Sequence, residues 1–180
     1  AAPLAQALAG QREQTLALFA ALRAVLGDPL EVRYATEINP PLWELGHVGW
    51  FEEFWIARNP ERLRGPRAQL EAPRAAPLWP HADALYDSSR VAHARRWHLD
   101  LPDARHTLDL LARGRERTLA LLGASADDDD ALYFFRLALM HEAMQREAGA
   151  MIAQCLMRDV RQALPDLAAP APAPAPAEMP

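Results

Sequence analysis

Four stretches of the chain carry apolar residues at the three- and four-residue spacing of an amphipathic helix. The first covers about residues 4–26 and stops before Gly27, the second about 41–59, the third about 103–123, and the fourth follows the aspartates at 127–130. Glycine and β-branched residues are scarce, whereas Ala, Leu, Arg and Glu are abundant, which favours helix over sheet. We therefore predict an all-α protein built as a four-helix bundle.

One long connection, from about residue 61 to 101, separates the second and third helices. It is rich in Pro, Arg, His and Trp, and its pattern predicts a short helix at about residues 81–86. A connection of this length inside a compact domain is more often functional than idle. We expect it to contribute to whatever site the bundle holds.

Polar residues interrupt the apolar faces of two helices. His47 lies between Trp43 and Trp50 on the second helix, and His141 and Gln145 lie four residues apart on the fourth. Residues four apart are rotated by only about 40° and stack one turn apart, so His141 and Gln145 project side by side. Burying such groups is costly unless something satisfies them, and a metal ion is one candidate.

If these helices are neighbours, the three polar groups converge in the core. Imidazole suits iron, zinc, copper and nickel, and the spacing does not choose among them. The alternative is that both histidines are ordinary core residues, bonded to backbone carbonyls or to glutamates. Glu147 lies about 200° around the helix from Gln145, so we expect an indirect or interhelix ion-pair role for it.

Composition and charge narrow the class of protein. The chain has 180 residues and a formal charge of -5. Arginines gather between residues 62 and 96, but acidic residues balance them over the whole chain, which argues against a nucleic-acid partner. No apolar run reaches about 18 residues, so no membrane-spanning helix is expected. Cys155 is the single cysteine, which excludes an intramolecular disulfide and predicts a cytoplasmic location; on its helix we expect it to be a small buried apolar residue.

The chain divides into a helical domain and a low-complexity segment. We place the bundle at residues 1–163 and a Pro/Ala-rich segment at 164–180. Alternating proline forbids helix and favours an extended spacer, which predicts a linker to a further domain. The alternative is a disordered tail.

Two motifs carry a resemblance to a known family. The segment NPPLWELGHVGWFE at 39–52 resembles the SPxxWHLGHxxWFxE signature of the DinB-like N-terminal domain of ergothioneine-type sulfoxide synthases and the related selenoneine synthases. The segment HEAMQRE at 141–147 is similar to that family's H-E-x-x-H-x-E. The resemblance extends over the globular part of the chain and implies a DinB-like four-helix bundle.

The resemblance implies a mononuclear non-haem iron centre. Its Fe(II) would bind a histidine betaine and a thiol or selenosugar donor and use O2 to form a C–S or C–Se bond on the imidazole ring. His47 and His141 match two of the family's three histidine ligands, whereas Gln145 stands in the third position. Gln145 then binds iron through its oxygen, leaves a two-histidine site completed by water or substrate, or marks a lost site; we favour a retained but altered site.

The resemblance also implies a formylglycine-generating-enzyme-like domain downstream of the linker, without which this chain is expected to bind metal at most. The connection departs from the Asn-Ser-Tyr-Tyr pattern of the members that use γ-glutamylcysteine and looks closer to the selenoneine branch. Its arginines Arg90, Arg95 and Arg96 are candidate donor-substrate contacts, since guanidinium groups bind carboxylate and phosphate well, or they form a solvated basic loop. Two other functions remain open: a DinB-like metal-dependent thiol S-transferase, and a non-catalytic bundle with a degenerate site.

Overall fold

The computed structural model describes residues 1–156. The proposed linker at 164–180 and the end of the predicted 1–163 domain lie outside the described residues. Within them the chain is helical and has no strand, which confirms the all-α prediction. The helices are α1 (Ala2–Leu26), α2 (Pro41–Glu52), α3 (Ala82–Tyr86), α4 (Ala104–Gly123) and α5 (Asp129–Cys155).

The helix ends follow the local sequence. Pro41 stands in the first turn of α2, where its missing N–H removes no helix hydrogen bond. Asp103 and Asp128 cap α4 and α5, each accepting a hydrogen bond from a backbone N–H in the first turn. Gly27 follows α1 with a positive φ of 84°. Within the aspartate run, Asp128 is thus the residue that caps α5.

The second predicted helix is not a single regular helix. α2 ends at Glu52 and continues as one π-helical turn, Glu53–Ala57, before the chain leaves the bundle. The long connection then forms 3-10 turns at Arg62–Arg67 and His93–His98 around α3. The predicted short helix in this connection is confirmed, shifted by one residue at its start.

The long helices α1, α2, α4 and α5 pack around a shared core. α5 lies against α1 and α2, and α2 also lies against α4. Leu18, Leu45 and Leu111 bring α1, α2 and α4 together in one apolar cluster. A second cluster, which includes Leu8, Leu122 and Phe134, fills the region near the α4–α5 connection. None of the described helices is long and apolar enough to cross a membrane.

The prediction that Cys155 is buried is wrong. Cys155 is exposed at the last residue of α5. Ile152 and Ala153 occupy the buried face of this turn, and Cys155 lies about 200° around the helix from Ala153.

Candidate metal centre

His47 lies on the α2 face that carries two tryptophans. Its ring stacks between Trp43, at 4.9 Å and 10°, and Trp50, at 5.6 Å and 23°. The spacing 43, 47, 50 places the three rings on one side of the helix. Only 4% of His47 is exposed, so the imidazole is held in an aromatic wall.

The short helix α3 fixes the orientation of this wall. Each of the three rings donates one N–H to the same turn: Trp43 Nε1 to Leu85 O at 2.8 Å, His47 Nδ1 to Tyr86 O at 2.8 Å, and Trp50 Nε1 to Asp83 Oδ1 at 2.7 Å. A carbonyl oxygen only accepts, so Nδ1 of His47 carries the proton and Nε2 presents a lone pair. α3 therefore selects the tautomer that a metal ligand through Nε2 requires.

Gly46 lets α3 come close enough to make these bonds. A Cβ at position 46 would lie 2.5 Å from the hydroxyl oxygen of Tyr86 and closer still to its ring carbons. The Tyr86 ring therefore lies directly against the α2 backbone, beside the turn that carries His47. Its own backbone carbonyl is the acceptor of His47.

α5 brings the other two predicted groups to the same place. The His141 ring stacks face to face on Phe51 of α2, at 3.5 Å and 5°. Its Nε2 lies 3.2 Å from Nε2 of His47 and 3.2 Å from the side-chain amide of Gln145. The structure thus brings together all three residues that the sequence selects as metal ligands.

Burial keeps both imidazoles neutral. It lowers the pKa of His47 to about 4, and the nearby Arg96 charge acts in the same direction. It lowers the pKa of His141 to about 3, with His47 as the second cause. At neutral pH both rings therefore have the unprotonated nitrogen that metal coordination needs.

The three groups do not satisfy one another fully. Nε2 of His141 carries either one proton or one lone pair, yet it faces two partners. As a lone pair it accepts from the Gln145 amide N–H but faces the lone pair of His47, and as an N–H it donates to His47 but faces the Gln145 amide nitrogen, which is itself a donor. A cation bound by both imidazole lone pairs, with the Gln145 amide turned to present its oxygen, removes this conflict.

The spacing also suits a shared ion. Two nitrogen ligands bound at about 2.1 Å in octahedral or tetrahedral arrangement are about 3.0–3.4 Å apart, and the two Nε2 atoms are 3.2 Å apart. Residues 1–156 contain no group of three His, Cys, Asp or Glu side chains that could hold a metal. The candidate donors at this point are two imidazole nitrogens and the Gln145 amide, and such a set would fit a divalent ion that accepts nitrogen and oxygen once the amide presents its oxygen.

The three predicted arginine contacts lie in different surroundings. Arg96 extends over the Trp43 ring at 4.1 Å and donates to Asn39 Oδ1 at 2.7 Å. Arg90 is exposed and pairs with Asp87 at 3.3 Å, and Arg95 is exposed nearby. Only Arg96 reaches the aromatic wall.

Among the residues that the structure describes, the prediction of an interhelix ion pair for Glu147 is wrong, and Glu142 makes such pairs instead. Glu147 is exposed, whereas Glu142 is buried and pairs with Arg12 of α1 and Arg115 of α4. The apolar spacing alone did not single out these arginines. Each of them could have been found as a charged residue that interrupts an apolar face. Arg12 lies between Leu8 and Thr15 on α1, and Arg115 lies between Leu111 and Leu119 on α4.

The fold and these side chains define an all-α protein with a two-histidine candidate metal centre between α2 and α5. No model of a known protein family matches the chain.

Individual relatives do match it. The chain is 31% identical over 148 residues to the hercynine oxygenase of Mycolicibacterium smegmatis, which covers 80% of this chain and 30% of the relative. It is 30% identical over 148 residues to that of Mycolicibacterium thermoresistibile, covering 81% and 29%. For hercynine oxygenase of Mycobacterium tuberculosis the identity is 30% over 128 residues, covering 70% and 28%. The chain thus spans under a third of the length of these relatives.

Proposed function

We propose that this chain is the iron-binding helical domain of an O2-dependent non-haem iron enzyme that forms a C–S or C–Se bond on the imidazole ring of hercynine, a histidine betaine. The observation that carries the proposal is the convergence of His47, His141 and Gln145 at 3.2 Å spacings within a chain similar to hercynine oxygenases. The oxygenase class comes from the relatives' name. Iron and the bond formed come from the motif resemblance.

Each group of the centre has a separate task. His47 and His141 would bind Fe(II) through Nε2, and Gln145 would contribute its amide oxygen after a rotation that exchanges it with the Nε2 that faces His141. Bound Fe(II) supplies the activation of O2 and the redox chemistry. All three residues are neutral, so a site built from them would favour an anionic or electron-rich substrate and would leave room for it beside the ion.

The surroundings orient and shield the reactants. Trp43 and Trp50 hold the His47 ring from both sides, and Phe51 covers the His141 ring. These apolar surfaces keep water from the metal ligands, which strengthens electrostatic interactions there. We assign Arg96 as a carboxylate contact for a substrate, because it lies against the same wall and its Nε has no hydrogen-bond partner in the described part of the chain.

Metal analysis of anaerobically purified chain tests the proposal. We expect Fe(II) to bind the wild type and to be lost from His47→Ala and His141→Ala. His98→Ala is the control, because His98 is exposed on the connection. Iron binding that survives loss of His47 and His141, or that His98→Ala removes equally, contradicts the proposal.

The same samples separate the two other functions. Preference for zinc, with thiol transfer that needs no O2, would indicate a thiol S-transferase. No metal uptake, with unchanged unfolding in the presence of chelator, would indicate a structural bundle.

A further inference from the structure

Two arginines and two glutamates are buried where the four long helices meet. We call them the core ion cluster: Arg12 of α1, Glu52 of α2, Arg115 of α4 and Glu142 of α5. They are 7%, 4%, 8% and 2% exposed, in that order. The cluster lies beside the metal centre and is not part of the ligand set.

Each carboxylate of the cluster contacts both guanidinium groups. Arg12 bonds Glu142 at 2.6 Å and Glu52 at 2.7 Å. Arg115 bonds Glu142 at 2.6 Å and Glu52 at 2.9 Å. Charge-assisted bonds of this kind are strong and directional. The four charges sum to zero, and together they tie α2 to α5 through α1 and α4.

The arginines are themselves held in place by backbone. Nη1 of Arg12 donates to the Leu111 carbonyl at 3.2 Å, and Nη1 of Arg115 donates to the Leu8 carbonyl. Each guanidinium therefore has contacts to the helix of the other arginine as well as to both glutamates. The core ion cluster is therefore one connected network of hydrogen bonds rather than two independent ion pairs.

The two glutamates adjoin the residues that stack at the metal centre. Glu52 directly follows Phe51, and Glu142 directly follows His141. The Phe51 and His141 rings are the pair stacked at 3.5 Å. A slip of α5 by one residue would shift His141 by about 1.5 Å and turn it by about 100°. Holding Glu52 and Glu142 on common arginines prevents such a slip.

A gain in folding stability alone does not account for the core ion cluster. The desolvation of buried charges offsets much of their attraction, and apolar residues of similar volume often stabilise as well or better. Apolar residues, however, would not fix the register of one helix against another. We propose that Arg12 and Arg115 are positioning residues that, through Glu52 and Glu142, hold α2 and α5 in the register that brings the two histidine Nε2 atoms together. The metal-binding test of this inference rests on the proposed function.

Arg115→Lys tests the positioning role. Lysine keeps the charge but lacks the planar fork that reaches both glutamates. We expect the dissociation constant for Co(II), used as an optical probe in place of Fe(II), to rise about tenfold or more. The Co(II) absorption spectrum should change as the ligand arrangement changes. Arg12→Lys should act in the same way, and it serves as the second variant if Arg115→Lys does not fold.

A matched control separates positioning from general stability. Leu122→Ala removes a side chain that is 1% exposed near the α4–α5 connection, away from the histidines. We expect it to lower the unfolding midpoint while the Co(II) affinity and spectrum stay those of the wild type. Co(II) affinity within twofold of wild type in Arg115→Lys, or an equal loss in Leu122→Ala, would overturn the inference.

A metal-free measurement keeps this test independent of the proposed function. Histidine-ring 15N spectra report which nitrogen of His47 and His141 carries the proton. In the wild type His47 should be protonated at Nδ1, and Arg115→Lys should perturb the Nε2 signals of both rings. If the wild type binds no Co(II), the proposed function fails. Unchanged ring signals in both lysine variants would refute the positioning role itself.

Discussion

The close contact between Gly46 and Tyr86 makes a single methyl group a sensitive test of the site. Gly46→Ala would place a Cβ 2.5 Å from the Tyr86 hydroxyl oxygen and nearer to the ring. Tyr86 is only 3% exposed and packs in one cluster with Trp43 and Trp50, so its ring cannot move aside without disturbing that packing. We expect α3 to be displaced from α2.

The magnitude follows from two opposing effects. Alanine favours a helix interior by about 1 kcal/mol over glycine. Forcing extra volume into a packed core costs about 1–3 kcal/mol. Loss of the three hydrogen bonds from α2 to α3 adds about 1 kcal/mol for each bond that breaks. With one of these bonds broken, the clash and the lost bond outweigh the propensity gain, so we expect a net destabilisation of about 1–3 kcal/mol, which rises to about 3–5 kcal/mol if all three bonds break.

Gly10→Ala is the matched control for this substitution. Gly10 lies within α1, and a Cβ there meets nothing within 4 Å. Only the propensity gain applies, so this variant should be more stable than wild type by about 0.5–1 kcal/mol. The same chemical change thus has opposite signs at the two positions.

Urea unfolding and a metal titration provide the assay. Gly46→Ala should lower the urea midpoint and weaken Fe(II) or Co(II) binding about tenfold or more, since His47 loses the acceptor of its Nδ1–H. Gly10→Ala should raise the midpoint and leave metal binding unchanged. A Gly46→Ala protein as stable as Gly10→Ala, with wild-type metal affinity, would refute the role assigned to α3.

Three further predictions concern the ligands and the helix ends. Gln145→His should tighten Fe(II) binding in an equilibrium titration, because imidazole is a stronger donor to Fe(II) than a neutral amide, and equal or weaker affinity would contradict the ligand assignment. In metal-free protein, the lowered pKa values of His47 and His141, about 4 and about 3, mean that the unfolded chain binds more protons below pH 6.5. The unfolding free energy should therefore fall between pH 6.5 and 5 by about 1–2 kcal/mol per histidine, and His141→Gln should show a shallower slope in urea titrations at each pH. Asp103→Ala should lower the unfolding free energy by about 1 kcal/mol through loss of the α4 cap, whereas the exposed Glu116→Ala should change it little; equal effects would contradict the capping role.

The long helices could be predicted from the sequence because the residues that mark them lie close together in the chain. Apolar spacing, Gly27 after α1 and Asp103 before α4 all act within a few residues of the helix ends that they mark. His47, His141 and Gln145 could be selected for a related reason, since each interrupts an apolar face. Their meeting point required the additional assumption that α2 and α5 are neighbours, which the structure bears out.

The parts that were missed depend on contacts between distant residues. Tyr86 meets His47 through a backbone carbonyl, and a carbonyl leaves no mark in the amino-acid sequence. Arg12 and Glu142 are 130 positions apart, so no periodicity links them. Arg90, Arg95 and Arg96 are close in sequence, yet only Arg96 lies against α2. Arg95, in the same 3-10 turn, is exposed, and Arg90 lies before this turn and pairs with Asp87.

The contact between His47 and His141 joins positions separated by 94 residues of chain. An ion held by both rings would act as a removable crosslink, closing a loop that includes α3, α4 and the whole connection between them. An unfolded chain would lose the conformational entropy of that loop if both rings stayed on the ion. The ion would therefore bind the native state more tightly and stabilise it against unfolding. Metal supply would then govern how long the bundle survives thermal or proteolytic challenge, in addition to any chemistry at the ion.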